Sequence, residues 1–160
     1  MASTSASSAA APDLGVLFGD LVRCETRLYN GLNDWLRERH GIVTSQYESL
    51  RYLRKHPGCR VADLAAEFAI GIGATSKGVD RLERSGWVVR QPNPDDRRSS
   101  LLVLTDDGVR LIDAAQQTFT ERVTELVGGA LDASQVTAAA RALSLLRGAL
   151  EREQVGTPTG

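Results

Sequence analysis

The chain has 160 residues, of which 42% are hydrophobic and 24% are charged, and its formal net charge is -1 at pH 7. This composition is that of a globular protein with one domain or two small lobes. The sequence contains no apolar run of the roughly 18 residues that a membrane-spanning helix needs, and its Ala/Ser-rich start lacks the features of a secretory signal. We therefore expect a cytoplasmic protein that does not associate with membranes.

The chemistry-bearing residues do not form a metal site or a catalytic motif. Two cysteines and two histidines are present, and Cys24, His40, His56 and Cys59 do not follow the spacing of a zinc module. The sequence also has no phosphate-binding glycine loop, no His-Glu-x-x-His and no Gly-x-Ser-x-Gly. We expect a protein in a reducing compartment that uses no cofactor or metal and is not an enzyme.

Charge is distributed unevenly along the chain. Residues 1–50 carry four basic and six acidic side chains. Residues 51–100 carry ten basic and six acidic side chains, and residues 101–160 carry five basic and eight acidic side chains. The middle third is therefore positive and lies between two negative flanks. Such a segment indicates contact with a polyanion, although a solvated charged surface has the same composition.

The first forty residues predict a short tail followed by a long helix. Residues 1–12 are small and polar, and we expect them to be disordered. From Asp13 apolar residues recur every three or four positions, which predicts an amphipathic helix that ends near His40 and Gly41. The apolar stripe of this helix comprises Leu14, Leu17, Leu21, Cys24, Leu28, Leu32 and Trp35.

Three further helices are predicted in the next segment. A capping-box pattern between Ser45 and Glu48 predicts the start of the second helix, and Pro57-Gly58 ends it. A short third helix covers about Val61–Ala69. After a turn at residues 70–73, a fourth helix covers about Ala74–Arg84.

The period of the hydrophobic pattern then changes from that of a helix to that of a strand. Residues 87–91 and 101–104 predict a two-stranded hairpin whose long loop has a basic tip. Thr105 is expected to cap a fifth helix, which ends at Gly128-Gly129, and Asp132 to cap a sixth helix that reaches about Arg152. The sixth helix is expected to turn Val136, Ala140, Leu143, Leu146 and Leu150 inward.

A short helix, a turn, a second helix and a hairpin in this order are the pattern of a winged helix-turn-helix. The second of these helices fits the major groove of DNA, and small hydroxyls and cations on its early half can contact bases or phosphates. Its candidates are Thr75, Ser76, Lys77 and Arg81. Helix capping is the alternative role for Thr75 and Ser76, while Val79 and Leu82 are expected to pack in the core.

The tip of the predicted wing supplies a second group of candidates. Arg97 and Arg98 are placed to enter a narrow minor groove, where the negative potential is enhanced. The carboxylate of Asp96 would be repelled by phosphate, so we expect it to orient an arginine by hydrogen bonding. The alternative is a solvated charged turn.

Five short segments together carry a family resemblance. They are Leu64-Ala65, Val79–Glu83, Gly86–Val88, Pro94-x-Asp96-x-Arg98 and Leu104-Thr105-x-x-Gly108. In these segments the chain resembles the MarR family of bacterial transcriptional regulators, over about residues 14–150. The resemblance implies that the fourth helix reads the major groove and that Asp96 and Arg98 form the family's Asp-x-Arg wing element.

Two positions depart from the family pattern, and they complete the candidate set. Gly73 stands where the family often has a serine, so the fourth helix is expected to start less firmly. Arg60 stands where the family often has a threonine, and it is able to add a phosphate contact. The DNA-contact candidates are then Arg60, Thr75, Ser76, Lys77, Arg81, Arg90, Asp96, Arg97 and Arg98.

The predicted fold is mainly α with one small β-hairpin. It is a single domain over residues 13–153, in which residues 44–105 form the winged helix-turn-helix lobe and residues 154–160 form a flexible tail. Residues 13–40 and 106–153 would form dimerisation helices, because so short a chain cannot cover their apolar stripes. The resemblance implies a homodimer on a pseudo-palindromic operator in double-stranded DNA.

The resemblance also implies a repressor that is released by a small aromatic acid or by an oxidant. The family's ligand pocket lies between the dimer helices and the DNA-binding lobes. Candidate lining residues are Arg23, Arg27, Trp35, His40, Tyr47 and Arg51. Core packing is the alternative for Trp35 and Tyr47, and a solvated face is the alternative for Arg23 and Arg27.

Two other functions remain open from the sequence. One is a redox-responsive repressor that acts through Cys24, although the position of Cys24 on the apolar stripe predicts a buried and inert thiol. The other is a winged-helix module that binds proteins and not DNA.

Overall fold

The computed structural model describes residues 13–158, and over these residues the chain folds into six helices and one antiparallel hairpin. The helices are α1 (Leu14–His40), α2 (Thr44–Lys55), α3 (Val61–Glu67), α4 (Ile72–Arg84), α5 (Asp106–Gly128) and α6 (Ala133–Arg152). The strands are β1 (Val88–Pro92) and β2 (Ser100–Leu104). The predicted fold class is confirmed. The expected disorder of residues 1–12 lies outside the described residues.

Helix α1 begins and ends where the sequence pattern places its ends. The side chain of Asp13 accepts hydrogen bonds from the backbone N–H groups of Gly15 and Val16, at 2.8 and 3.2 Å. Gly41 closes the helix with a left-handed φ of 66°, and its N–H donates to the carbonyl of Arg37. A side chain at Gly41 would strain this turn.

The start of α2 differs from the prediction. The helix begins at Thr44, and the backbone N–H of Val43 donates to the side chain of Gln46 at 2.9 Å, so Ser45 and Glu48 do not form a capping box. Contacts with α1 fix this start: the N–H of Thr44 donates to Asn33 Oδ1 at 3.2 Å, and its hydroxyl donates to the carbonyl of Tyr29 at 3.4 Å. These partners are distant in sequence, so the local pattern could not reveal them.

The turn between α3 and α4 lies two residues earlier than predicted. Helix α3 ends at Glu67, and Ala69 adopts a left-handed φ of 50° while the N–H of Ile70 donates to the carbonyl of Ala65. Helix α4 then starts at Ile72, with Gly71 as its cap, two residues before the predicted start. Thr75 and Ser76 are therefore within the helix and do not cap it, which corrects their alternative role.

The hairpin is joined to the loop between α2 and α3. Its register runs from Val88 opposite Leu104 to Pro92 opposite Ser100. On the other edge of β2, Leu102 donates to the carbonyl of Cys59 at 2.8 Å and accepts from the N–H of Gly58 at 2.9 Å. These bonds fix the base of the wing on the helix-turn-helix.

The core lies where the winged helix-turn-helix meets the adjoining halves of α1 and α5. Leu36, Ile42, Leu50 and Ile112 are fully buried there. The ring of Tyr47, which is 1% exposed, stacks on Phe119 with ring centroids 4.3 Å apart. The predicted core positions Val79 and Leu82 of α4 are confirmed as buried.

The rest of the long helices is not covered by the chain itself. On the first half of α1 the apolar side chains are exposed, with Leu14 at 71% and Phe18 at 68%. Helix α6 has no buried residue, and Leu143 and Leu146 are 48% and 47% exposed. The predicted inward face of α6 is therefore not buried within one chain. None of the helices in residues 13–158 has the length and hydropathy needed to cross a bilayer.

The predicted loose tail is partly ordered. After α6 the N–H of Val155 donates to the carbonyl of Leu150 at 3.0 Å, and that of Thr157 to Gln154 at 3.4 Å. Val155 also lines an apolar groove, described below. Residues 159 and 160 of the predicted tail lie outside the described part of the chain.

Helix α5 begins in close contact with the start of the wing. The hydroxyl of Thr105 accepts from the N–H of Gly108 at 3.0 Å and donates to the carbonyl of Gly86 at 2.6 Å. The predicted cap at Thr105 is thus confirmed. Gly108 is buried so closely against Trp87 that a Cβ at this position would lie 2.1 Å from the carbonyl oxygen of Trp87.

We expect Gly108→Ala to lower the free energy of unfolding by about 1–3 kcal/mol, because the added methyl group must displace backbone. Gly78→Ala is the matched control, since its Cβ would meet nothing within 4 Å and alanine favours a helix. Urea unfolding followed by circular dichroism measures both. Equal stabilities for the two variants would contradict the close packing of Gly108 on Trp87.

Candidate nucleic-acid interface

The recognition helix α4 presents two unpaired cations to solvent. Lys77 and Arg81 are exposed and, at 100° per residue, lie about 40° apart around the helix axis. None of the ion pairs within residues 13–158 involves either side chain. These cations therefore keep their full donor capacity for an external acceptor.

The two hydroxyls of α4 are placed differently from the cations. Thr75 is half-buried, and its hydroxyl donates to the carbonyl of Gly71 at 3.1 Å. Ser76 is also half-buried and directly precedes Lys77. A contact to DNA is therefore easier to make from Lys77 and Arg81 than from Thr75.

The wing tip is held by a network of local hydrogen bonds. Asn93 accepts from the N–H of Asp95 at 3.0 Å and donates to the hydroxyl of Ser99 at 2.8 Å. The carboxylate of Asp96 accepts from the backbone N–H of Arg98 at 2.9 Å. These bonds shape the tip so that Arg97 and Arg98 are both exposed.

The role expected for Asp96 needs a correction. Among the described hydrogen bonds its carboxylate holds the backbone of Arg98 and not a guanidinium group. An aspartate two residues before an N–H group readily forms this kind of turn. Asp96 thus orients Arg98 through the main chain.

Arg60 is exposed at the start of α3 but is already bonded to Asp63. Its Nε and Nη2 donate to the two carboxylate oxygens of Asp63 at 3.1 and 2.9 Å, and its backbone N–H donates at 2.8 Å. Hydrogen bonds from the Arg60 side chain and backbone lower the pKa of Asp63. A phosphate contact by Arg60 would have to share the guanidinium group with this carboxylate.

Arg90 is not free in the structure. Its Nη2 donates to Asp80 Oδ1 at 2.7 Å and its Nη1 to Glu83 Oε2 at 2.5 Å, so it bridges two carboxylates of α4. The guanidinium side chain is only 24% exposed. Burial opposes its charged form, but the hydrogen bonds that Arg90 donates to Asp80 and Glu83 outweigh burial and raise the pKa of Arg90.

The six candidate ligand residues do not line one pocket within a single chain. Arg23 and His40 are 17 positions apart on α1, which corresponds to about 25 Å along the helix. Arg23 is exposed, and its Nη1 lies 3.7 Å from Asp20 Oδ1. Arg27 is exposed on the same half of α1. This placement agrees with the solvated-face alternative for both arginines.

The aromatic candidates belong to packing within the chain. Tyr47 is in the core, and burial raises its pKa to about 12. The ring of Trp35 lies between two guanidinium groups, with Arg39 Cζ at 3.3 Å and Arg122 Cζ at 4.8 Å from its centroid. His40 is paired with the hydroxyl of Thr118 at 2.8 Å, and burial followed by the charge of Arg39 lowers its pKa.

Arg51 does line a cleft, together with residues that the sequence analysis missed. This cleft of about 360 Å³ lies between α2, α3 and α6 and combines three cations with aromatic rings. The cleft is lined by three cations, two carboxylates and three rings: Arg51, Lys55 and Arg147, Glu48 and Glu67, and Tyr52, His56 and Phe68. Arg51 Nη1 lies 3.7 Å from Glu48 Oε1. The four-residue spacing of Arg51 and Lys55 was visible in the sequence, but the approach of α6 was not.

An apolar groove of about 850 Å³ adjoins the cleft. It lies between α3 and α6 and shares Glu67, Phe68 and Arg147 with the cleft. Leu143, Leu146 and Leu150 form its α6 wall.

The two cysteines differ from each other in environment. Cys24 is exposed in the single chain, so the expectation that it is buried is wrong within one chain. Cys59 is half-buried, and burial followed by the charge of Asp63 raises its pKa to about 11. No group of three or more His, Cys, Asp or Glu side chains within the described residues could hold a metal ion.

A family model described as "MarR family" matches residues 42–100, which span α2 to the start of β2. The matched segment contains α4 and the wing tip. Over this segment the chain is similar to the MarR family.

Curated relatives that are named MarR match about half of the chain. The multiple antibiotic resistance protein MarR of Escherichia coli is 31% identical over 86 residues, which cover 54% of this chain and 59% of that protein. MarR of Salmonella typhimurium is 32% identical over 76 residues, or 48% of this chain and 53% of that protein. The chain thus spans about half the length of the curated relatives that it matches.

Solved MarR-family structures extend the similarity to the terminal helices. A mutant MarR of E. coli complexed with operator DNA has a TM-score of 0.75 and 25% identity, with 84% of this chain and 99% of that chain covered. Sco3205 of Streptomyces coelicolor in complex with DNA has a TM-score of 0.78 and 25% identity, with 85% and 90% covered. The repressor CouR, bound to a 23-mer duplex, has a TM-score of 0.72 and 25% identity, with 86% and 99% covered.

Proposed function

We propose that the protein is a sequence-specific, double-stranded DNA-binding transcriptional repressor that works as a homodimer and is released by a small aromatic anion. The observation that carries DNA binding is the set of exposed and unpaired cations on α4 and on the wing tip. Lys77 and Arg81 lie on α4, and Arg97 and Arg98 lie on the wing tip. Their position on a winged helix suits the major and the minor groove respectively.

The charge of the whole chain makes this placement informative. The net charge is -1, so nonspecific attraction to DNA would be weak without a local basic surface. Several other arginines, such as Arg54 with Asp113 and Arg60 with Asp63, are paired inside the chain. MarR of E. coli, Sco3205 and CouR, which share the fold, have each been solved with DNA.

The homodimer is supported by the uncovered apolar faces. Leu14 and Phe18 on α1 and Leu143 and Leu146 on α6 are between 47% and 71% exposed in the single chain. Large apolar side chains exposed in this number on two helices indicate a surface that associates with another molecule. Two-fold symmetry would place two copies of α4 about one helical turn of DNA apart, on a pseudo-palindromic operator.

The cleft of Arg51, Lys55 and Arg147 is the best-supported effector site in the chain. Its three cations outnumber the carboxylates of Glu48 and Glu67, and with the neighbouring aromatic rings they suit a small aromatic carboxylate, which would accept charge-assisted hydrogen bonds while its ring stacks. The cleft lies between the DNA-binding lobe and α6. An anion bound there would bias how the dimer helices sit on the lobes.

DNA binding is tested by fluorescence anisotropy on duplex DNA from the protein's own upstream region, with a scrambled duplex as reference. We expect selective binding whose affinity falls steeply with salt. Arg98→Ala should weaken binding by about 1–3 kcal/mol because a minor-groove contact is lost. Arg141→Ala, on the outer face of α6, is the matched control and should bind as the wild type does. Equal, weak binding of both duplexes would favour the protein-interaction module.

The dimer is tested by sedimentation velocity over a range of protein concentrations. We expect twice the mass of one chain for the wild type and the mass of one chain for Leu146→Glu, because a buried charge opposes association. Thr137→Glu places the same charge on the other side of α6 and should leave the dimer intact. A wild type that sediments as a monomer would contradict the proposal.

The effector site is tested with salicylate as the probe in the same anisotropy assay. We expect salicylate to release DNA from the wild type, and Arg147→Ala to raise the concentration needed for half release by about tenfold. Arg141→Ala should respond as the wild type does. Equal responses of the two variants, or no release at all, would count against this cleft.

A further inference from the structure

We infer that Arg90 is a positioning residue for DNA binding. Its hydrogen bonds to Asp80 and Glu83, here called the clasp, hold the wing against α4 and reduce the repulsion between these two carboxylates and the phosphate backbone. This inference rests on the proposed function. It assigns Arg90 a role different from the direct DNA contact that its charge and position in the sequence suggest.

Three hydrogen bonds join Arg90 to α4. Its guanidinium group donates to Asp80 at 2.7 Å and to Glu83 at 2.5 Å. Its backbone N–H also donates to the second carboxylate oxygen of Glu83, at 3.3 Å. Both ends of the guanidinium group are therefore occupied, and Glu83 is bound by main chain and side chain together.

The clasp lies where it can set the direction of the wing. Arg90 is the middle residue of β1 and pairs with Leu102, which is fully buried. Pro92, which ends β1 and lacks an N–H donor, lies two residues further on, and the wing loop begins there. The anchored side chain of Arg90 thus fixes the position of β1 relative to the recognition helix, just before the wing loop begins.

The same contact changes the charge that α4 presents. At 100° per residue, Asp80 lies about 60° from Lys77 and about 40° from Arg84 around the helix. Its side chain is 50% exposed, and that of Glu83 is 40% exposed. Without Arg90, two uncompensated carboxylates would border the cationic face that meets DNA.

The expected size of the shielding effect is modest. Arg90 carries one positive charge, and one charge about 10 Å from a phosphate, in a solvent of high dielectric constant, corresponds to about a twofold change in affinity. Arg90→Ala should therefore bind the operator duplex at least about twofold more weakly than the wild type, and the loss of the contact between the wing and α4 adds to this effect. Since Arg90 releases no counterion from DNA, the slope of log affinity against log salt should stay unchanged.

A double-mutant cycle separates shielding from a direct contact. Adding Asp80→Asn and Glu83→Gln to Arg90→Ala should raise the affinity about fourfold above that of Arg90→Ala alone, because both repelling charges are then gone. Arg81→Ala is the matched control for a phosphate contact. It should reduce the salt slope by about one.

Hydrogen exchange of the free protein tests the clasp without DNA. In Arg90→Ala we expect faster exchange of the β1 and β2 amides, with the core amides of α2 and α5 unchanged. A salt slope that falls as in Arg81→Ala, no recovery with the two amide substitutions, or unchanged hairpin exchange would overturn the inference. A wild type that binds no duplex selectively would contradict the proposed function instead, while exchange would still test the clasp.

Discussion

The junction of α1, α2 and α5 holds the structure together. There Tyr47 stacks on Phe119, and Leu36 and Ile112 are fully buried. This core also receives Val88 and Leu102 from the hairpin and Val79 and Leu82 from α4. The position of the recognition helix and the wing is therefore set by hydrophobic packing that is shared with the long helices.

The small size of this core explains the two exposed ends of the molecule. It covers only the second half of α1 and the first half of α5, which leaves the first half of α1 and all of α6 with apolar side chains in contact with water. Covering these side chains would remove water from a large apolar area, which is the main force in protein association. The proposed homodimer follows from this arrangement more directly than from any single residue.

The sequence predicts elements whose determinants are local. The period of α1 and its start near Asp13, the cap at Thr105 and the change of period in the hairpin are all read from neighbouring residues. The start of α2 was not predicted because it depends on distant contacts, such as that between Thr44 and Asn33.

The same distinction applies to the candidate site. Exposure of Lys77, Arg81, Arg97 and Arg98 agrees with expectation, since a surface helix and a turn place charges in solvent. The partners of Arg90 lie seven and ten residues away on another element, so no spacing in the sequence identifies them. The cleft at Arg51 was missed in part because Arg147 comes from the far end of the chain.

The placement of Arg147 links the two halves of the proposed function. Arg51 and Lys55 belong to α2, which packs in the core of the DNA-binding lobe, whereas Arg147 belongs to α6, whose apolar face is open to a second copy. The cleft also holds the carboxylates of Glu48 and Glu67, and an anion bound between Lys55 of α2 and Arg147 of α6 would attract both of these cations. Binding would then favour a closer approach of α6 to α2. Because α6 would also carry the partner subunit, such a shift would change the distance between the two recognition helices and hence their fit to adjacent major grooves.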